Sequence, residues 1–306
     1  MTGAPLDVVA AYANPLLWRS RMALFRRFAA GMLHAGARLT VVECAFGRRP
    51  FELADGWWRH IGVRARSLVW TKENLLNIGL SRLPDDWKYA AWIDADVTFR
   101  RRDWAEATVQ ALQLHPIVQP WSDCYDLGPN DEHVQHHRSF AAQYAAGARI
   151  GIGKGYTFAH PGYAWAATRD ALDGLGGLIE TAALGAGDHH MALALIGRGQ
   201  ESMPGGVTPT YRAQVMAWQE RARRVVAGNL GVVPGTIEHM WHGPKASRRY
   251  VERWDVLVRH RFCPLADLMR NTWGVLELAG NKPALRRDMD RYFRQRDEDA
   301  NTITAP

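Results

Sequence analysis

Asp94 and Asp96 close an apolar run that reads YAAWIDADVTF over residues 89–99. In a strand, residues i and i+2 point to the same face. If the strand ends at Ile93, both carboxylates converge beyond its carboxyl edge. Two carboxylates that close repel each other unless a cation lies beside them, and oxygen-rich sites favour Mg²⁺ or Mn²⁺. Such an ion would also bridge a diphosphate. A lone Asp-x-Asp arises by composition about once in a chain of this size. A solvated loop with helix-capping aspartates is therefore the plain alternative.

Two other clusters invite chemistry and carry less. His133, His136 and His137 fall within five residues, but their spacing matches neither a HExxH helix nor a zinc pattern, so they read as a polar loop. GIGKG at 151–155 lacks the full GxxxxGK[ST]. It reads as a glycine-rich lid from which Lys154 reaches a phosphate on closing. Cys44, Cys124 and Cys263 are far apart with no CxxC spacing, which implies reduced thiols in or near the core.

The elements that must position these groups can be read from pattern. With 306 residues, 47% of them hydrophobic, the chain can bury a large core in one domain or one domain with an appendage. Disordered and fibrous classes are excluded. No apolar stretch approaches the roughly 20 residues of a membrane span, and a soluble cytoplasmic protein is expected. The net charge of +7 points to an anionic partner. Only five of the 38 basic residues are lysine. Arginine grips phosphate bidentately, and it clusters at 100–102, 221–224, 248–249 and 286–296.

LDVVAAYA (6–13) and RLTVVECAF (38–46) read as buried strands, with a helix from WRSRMALFRRF between them. SLVW (67–70) reads as a short strand, followed by a helix from near Glu73 to Pro84 and then the strand 89–99. The alternation predicts an α/β fold, a mostly parallel sheet with crossover helices that binds ligands at its carboxyl edge. Further on, residues 105–116 read as a helix and 116–128 as a strand leading into a loop. Residues 126–155 read as a loop with one helix near HHRSFAAQYAAG, PGYAWAATRDALDG as strand, turn and helix, and DHHMALALIG as a helix opened by Asp188. A helix over 211–228, the strand-like GVVPGTIEH and a frayed tail from Arg296 complete the pattern.

The order of these units, and KENLLNIGLSRLPDDWKYAAWIDADVTF in particular, resembles the GT-A family of nucleotide-sugar glycosyltransferases, whose metal motif ends the strand after a long helix. The likeness reaches about residue 245. It implies a GT-A-like, Rossmann-related domain over 1–245, with a nucleotide-sugar half (1–125) and an acceptor-side half (126–245), and a helical extension over 246–306. It further implies a donor site of Tyr12, Ala13, Asn14, Glu43, Lys72, Asn74, Asp94, Ala95 and Lys245, with Glu43 near the ribose or base. The metal, Mn²⁺ or Mg²⁺, would be held by Asp94, Asp96 and His242, with His239 in reserve. Lys245 and Arg248 would neutralise the leaving diphosphate.

In the same likeness Asp188 is the base that takes the acceptor's proton in an inverting transfer; as a plain residue it could equally cap the helix it opens. Trp121, Tyr163, Trp165 and His189 would meet the acceptor. The chain is also similar to glycosyltransferase-like proteins of tailed phages. That implies a UDP-sugar donor and, as acceptor, a hydroxymethylpyrimidine base in phage DNA, with a surface polysaccharide next. A basic nucleic-acid-binding module without catalysis is the reading from another class. Oligomeric state is not legible.

Overall fold

The computed structural model describes residues 5–151, 159–250 and 252–300. Lys154 and residues 152–155 of the glycine-rich stretch lie outside them.

Strand β1 (Leu6–Ala13) is apolar on both faces, as a central strand covered by helices must be. It pairs in parallel with β2 (Arg38–Phe46) on one edge and with β4 (Tyr89–Ile93) on the other. The crossover helices are α1 (Arg19–His34) and α2 (Lys72–Leu80). Outside β2 runs β3 (Arg59–Ala65), again parallel. Beyond β4 the sheet becomes mixed. Strand β9 (Ala164–Thr168) runs antiparallel between β4 and β6 (Ile117–Gln119), and β10 (Leu230–Val232) pairs in parallel with β6. The sheet thus has seven strands in the order β10-β6-β9-β4-β1-β2-β3, a mostly parallel α/β layer flanked by helices.

A second sheet grows out of the first. Strand β4 stops at Ile93, residues 94–96 turn, and β5 (Val97–Phe99) continues in the new sheet. The same happens where β6 gives way to β7 (Asp123–Leu127) after Pro120, and where β10 gives way to β11 (Thr236–His239) after Pro234. Proline has no N–H for a ladder, so at the latter two places the strand cannot continue in register. With β8 (His133–Arg138) the second sheet has the order β5-β11-β7-β8.

Helices α3 (Trp104–Ala111), α4 (Phe140–Ala145), α5 (Arg169–Leu175), α6 (Gly187–Leu195) and α7 (Pro209–Val225) pack around these layers. Helix α7 shows why local sequence suffices for many of them. The Thr208 hydroxyl accepts the Tyr211 N–H, and Pro209 fills the first turn, where its missing donor costs nothing.

Five sequence readings need correction. The strand beside β2 is RHIGVRA, not SLVW; residues 67–71 are irregular and lead into α2. HVQHHR is a strand rather than a loop. Only His137 of the six is buried, so this sheet edge carries no apolar alternation to read. YAAWIDADVTF is two strands in two sheets. The chain after 245 is also not purely helical. Between α8 (Glu252–Arg259), α9 (Pro264–Asp267) and α10 (Pro283–Arg294) it makes a hairpin of β12 (Leu268–Arg270) and β13 (Leu276–Leu278). Its Leu257, Phe262, Leu285 and Met289 share one apolar cluster with Leu75, Leu76 and Met191.

The expected frayed tail is docked as far as Ala300. Glu298 is 3% exposed and accepts from Arg21 (Nε 2.6 Å, Nη2 2.8 Å) and Arg296 (Nε 3.1 Å). Asp299 accepts the N–H groups of Arg19 and Ser20, both at 2.9 Å, at the start of α1, where free donors and the helix dipole favour an anion. Glu298→Ala strips a buried carboxylate from two arginines and is expected to cost about 3 kcal/mol in urea denaturation. Asp299→Ala is expected to cost about 1 kcal/mol. Equal losses for the two would contradict this account of the tail.

Candidate active site

One cleft opens at the carboxyl ends of β1 and β4. Its floor carries Tyr12, Ala13 and the turn Asp94-Ala95-Asp96. One wall is the start of α2 (Lys72, Glu73) with the start of α6 (Ala186, Asp188); the opposite wall is the end of β11 and the segment after it (His239, His242, Lys245). The C-terminal segment closes a further side with Arg248, Tyr250, Arg253, Arg296 and Glu298. Two lining residues, Tyr163 and Ala186, have φ values of 75° and 84°. Side chains adopt that region only where surroundings enforce it, as they often do at functional sites.

The turn divides the two aspartates. Asp94 ends the first sheet, its N–H bonded to the Tyr163 carbonyl at 2.7 Å, while the Asp96 carbonyl accepts the Met240 N–H at 2.8 Å beside the second sheet. Asp94 Oδ1 accordingly meets Lys72 Nζ at 3.0 Å, whereas Asp96 Oδ2 lies 3.2 Å from His242 Nε2. Both carboxylates stay in the one cleft, where burial raises the Asp94 pKa and the charge of Asp96 adds to it, against the pull of Lys72.

On the lysine side, Lys72 Nζ is also 3.8 Å from Glu73 Oε1 and 3.9 Å from Asp188 Oδ2. Burial would favour the neutral amine, but three carboxylates outweigh it and keep the ammonium charged. Burial would likewise raise the Asp188 pKa, yet Lys72 and the His189 N–H hold it below the usual range, so Asp188 is ionised. One of its oxygens accepts that N–H at 2.8 Å. The other faces Gly162, where any side chain would collide with it: a Cβ would lie 2.8 Å away. Asp188 therefore satisfies one first-turn N–H of its helix with one oxygen and offers the other to the cleft.

On the histidine side, one ligand atom from each of Asp96, His239 and His242 falls within 4.8 Å of the others. His239 Nδ1 meets the Asp126 carboxylate at 2.7 Å and so carries the proton, which leaves Nε2 bare. His242 Nε2 accepts from Arg248 Nη2 at 3.0 Å, so its ring proton sits on Nδ1 and a cation would take the lone pair that faces the guanidinium. The two Nε2 atoms are 3.1 Å apart. Burial, reinforced by Arg248, pushes the His242 pKa well down and keeps the ring neutral. Asp96 Oδ1 is buried with no hydrogen-bond partner among the described residues. An orphaned carboxylate oxygen beside the Nε2 atoms of two imidazoles is a donor set that fits a divalent cation.

The other sequence candidates divide sharply. Tyr12, Ala13, Ala95, Tyr163 and Lys245 line the cleft. Glu43 does not. It is 2% exposed and accepts from the N–H groups of Glu52 (2.6 Å) and Leu53 (3.0 Å) and meets His60 Nε2 (2.8 Å), which fixes the loop after β2. Asn14 is spent on both backbone groups of Trp18, and Asn74 on Glu180 and the Leu276 N–H. Trp121 is fully buried with its indole donating to the Ala164 carbonyl, and Trp165 donates to Pro161. Neither can stack on an acceptor. His189 is part-exposed outside the cleft lining. Arg248 is buried at the site, not a surface charge. Asp94 pairs with Lys72, and His239 takes the place expected for it beside Asp96 and His242.

No local pattern pointed to Arg21, Trp70 and Arg253, which reach the cleft from distant segments, nor to Glu73; Arg296 comes from the arginine cluster at 286–296. Glu73 is 2% exposed, and its Oε1 lacks a hydrogen-bond partner. Gly187 makes room for it, because a Cβ there would fall 2.6 Å from its carboxyl carbon. Burial pushes the Glu73 pKa from 4.5 up to about 7, against the pull of Lys72. The unfolded chain loses this proton near 4.5 and the folded protein near 7, so stability falls as pH rises through that window. Glu73→Gln is expected to flatten the decline and to stabilise the metal-free protein at pH 8 by about 1–3 kcal/mol. Denaturation curves at pH 5 and pH 8 check this; the same decline in the variant would refute it.

No family model matches the sequence, and no curated protein matches it. Among solved structures, the chain is similar to the catalytic domain of Drosophila beta-1,4-galactosyltransferase 7 in complex with xylobiose, at 11% identity and a TM-score of 0.35, over 76% of this chain and 65% of that one. The same figures hold for a mutant of that enzyme in complex with manganese, UDP-Gal and xylobiose. A glucose-1-phosphate thymidylyltransferase from Bacillus anthracis is similar at 7% identity and a TM-score of 0.41, over 83% of this chain and 95% of that one.

Proposed function

We propose that the protein is a metal-dependent glycosyltransferase that moves a sugar from a nucleoside-diphosphate sugar, in first place a UDP-sugar, to a hydroxyl acceptor with inversion. One observation carries the reading. A fitted cation site (Asp96, His239, His242) and an ionised carboxylate (Asp188) held by a lysine face one cleft at the carboxyl edge of the sheet. Bound there, Mn²⁺ would neutralise charge on the leaving diphosphate.

The residues of the chain supply the rest. Arg248, Arg253, Arg296 and Lys245 line the cleft and offset the anionic charge that grows on the diphosphate as its bond to the anomeric carbon breaks. The acceptor oxygen forms the new bond to that carbon. Its proton passes to the free oxygen of Asp188, which Lys72 keeps ionised until then. Tyr12 and Ala13 on the floor, and Trp18 and Trp70 on the walls, offer faces for the nucleotide.

For the acceptor we put a hydroxymethylpyrimidine in DNA first and a glycan second. The net charge of +7 and the exposed Arg286, Arg287, Arg291 and Arg294 of α10 support an anionic polymer.

Asp96→Ala is expected to abolish Mn²⁺-dependent hydrolysis of a UDP-sugar without unfolding the protein; activity that survives EDTA would exclude the metal reading. Asp188→Asn is expected to slow transfer by 10² or more while leaving binding of UDP with Mn²⁺ unchanged. A loss under tenfold removes Asp188 as the base. Incubation with UDP-sugars and hydroxymethylcytosine-containing DNA, followed by nucleoside mass analysis, decides the acceptor: no added hexose places the glycan first.

A further inference from the structure

We propose that Asp126 is the positioning residue of the cation site: by accepting the Nδ1 proton of His239 it turns the Nε2 lone pair of that ring toward Asp96 and His242. The inference rests on the reading of Asp96, His239 and His242 as a cation site.

Asp126 lies on β7, which pairs in parallel with β11, and the register makes Asp126 and His239 direct partners. Its side chain is 5% exposed. Oδ1 meets His239 Nδ1 at 2.7 Å and accepts the Tyr163 hydroxyl at 2.8 Å. Oδ2 takes Lys245 Nζ and His137 Nε2. Four donors thus fill the four lone-pair positions of one carboxylate, which leaves it no freedom to rotate.

A carboxylate with that surround can only accept from His239, so the ring holds its proton on Nδ1. The other tautomer would place an N–H at Nε2, 3.9 Å from Asp96 Oδ1, and turn a ligand atom into a donor that repels a cation. Lys245 adds a second tie. It stands three residues past His242 and bonds both Asp126 and Gln135 (2.6 Å), so the loop that carries His242 is fastened to the same carboxylate. Carboxylates behind ligating histidines act this way in general, and their loss costs 10- to 100-fold in metal affinity.

The test is a Mn²⁺ titration followed by the electron paramagnetic resonance of the free ion. It is run on the full chain, on Asp126→Asn, on His239→Ala and on the double variant. Asp126→Asn is expected to weaken Mn²⁺ about 10- to 100-fold, because the amide can donate to Nδ1 and favour the wrong tautomer. In the His239→Ala background the same change is expected to cost less than about threefold, since its effect runs through the ring. Unchanged affinity in Asp126→Asn overturns the proposal. So does an equal loss in both backgrounds, which would mark a general structural effect. If the unmutated protein binds no Mn²⁺, the cation reading itself fails and this inference with it. Should Asp126→Asn not fold, long-range ¹H–¹⁵N spectra of the unmutated, metal-free protein still decide. A His239 ring protonated at Nδ1 supports the proposal, and one protonated at Nε2 refutes it.

Discussion

Three strands of the central sheet hand the chain to a second sheet, and between sheets the backbone must turn. At β4 that turn is Asp94-Ala95-Asp96. Each end is held by a different layer, through Tyr163 on one side and Met240 on the other. One carboxylate meets Lys72 at the start of α2, the other His242 just after β11. The cleft lies where the layers separate, so strand ends and helix starts reach it, and the C-terminal segment closes a further side.

Charge in that cleft is arranged by burial as much as by sign. Lys72 serves Asp94, Glu73 and Asp188 together, and its field is what keeps Asp188 ionised in a setting that would otherwise protonate it. Glu73, next to the same ammonium but more deeply buried, is pushed the other way. Two neighbouring carboxylates thus hold different protonation states, the separation on which acid–base chemistry depends. On the opposite wall Arg248 and burial keep His242 neutral, the form a metal ligand needs.

The C-terminal segment is part of this arrangement. Its arginines would repel one another across the cleft without Glu298, which joins Arg21 to Arg296 and lies 3.9 Å from His242 Nδ1. The tail is fixed at its other end by Asp299 on α1. A wall of the site thus depends on contacts between residues some 280 positions apart.

By itself the sequence determined the strands over 6–13 and 38–46 and the α/β class, because apolar period and proline and glycine punctuation are local features, and it pointed to Asp96, His242, Lys72 and Asp188, which the fold brings to one cleft. It also put Glu43, Asn14, Asn74, Trp121 and Trp165 at the site, where the fold uses each inside the structure. A polar or aromatic residue type does not reveal whether its hydrogen bonds are already spent on backbone, and only packing decides that. The division of Asp94 from Asp96, the pairing of Asp126 with His239 and the docking of Glu298 all required the register of two sheets and contacts across most of the chain. No local pattern encodes those distances, because they arise only when separate segments close on one another.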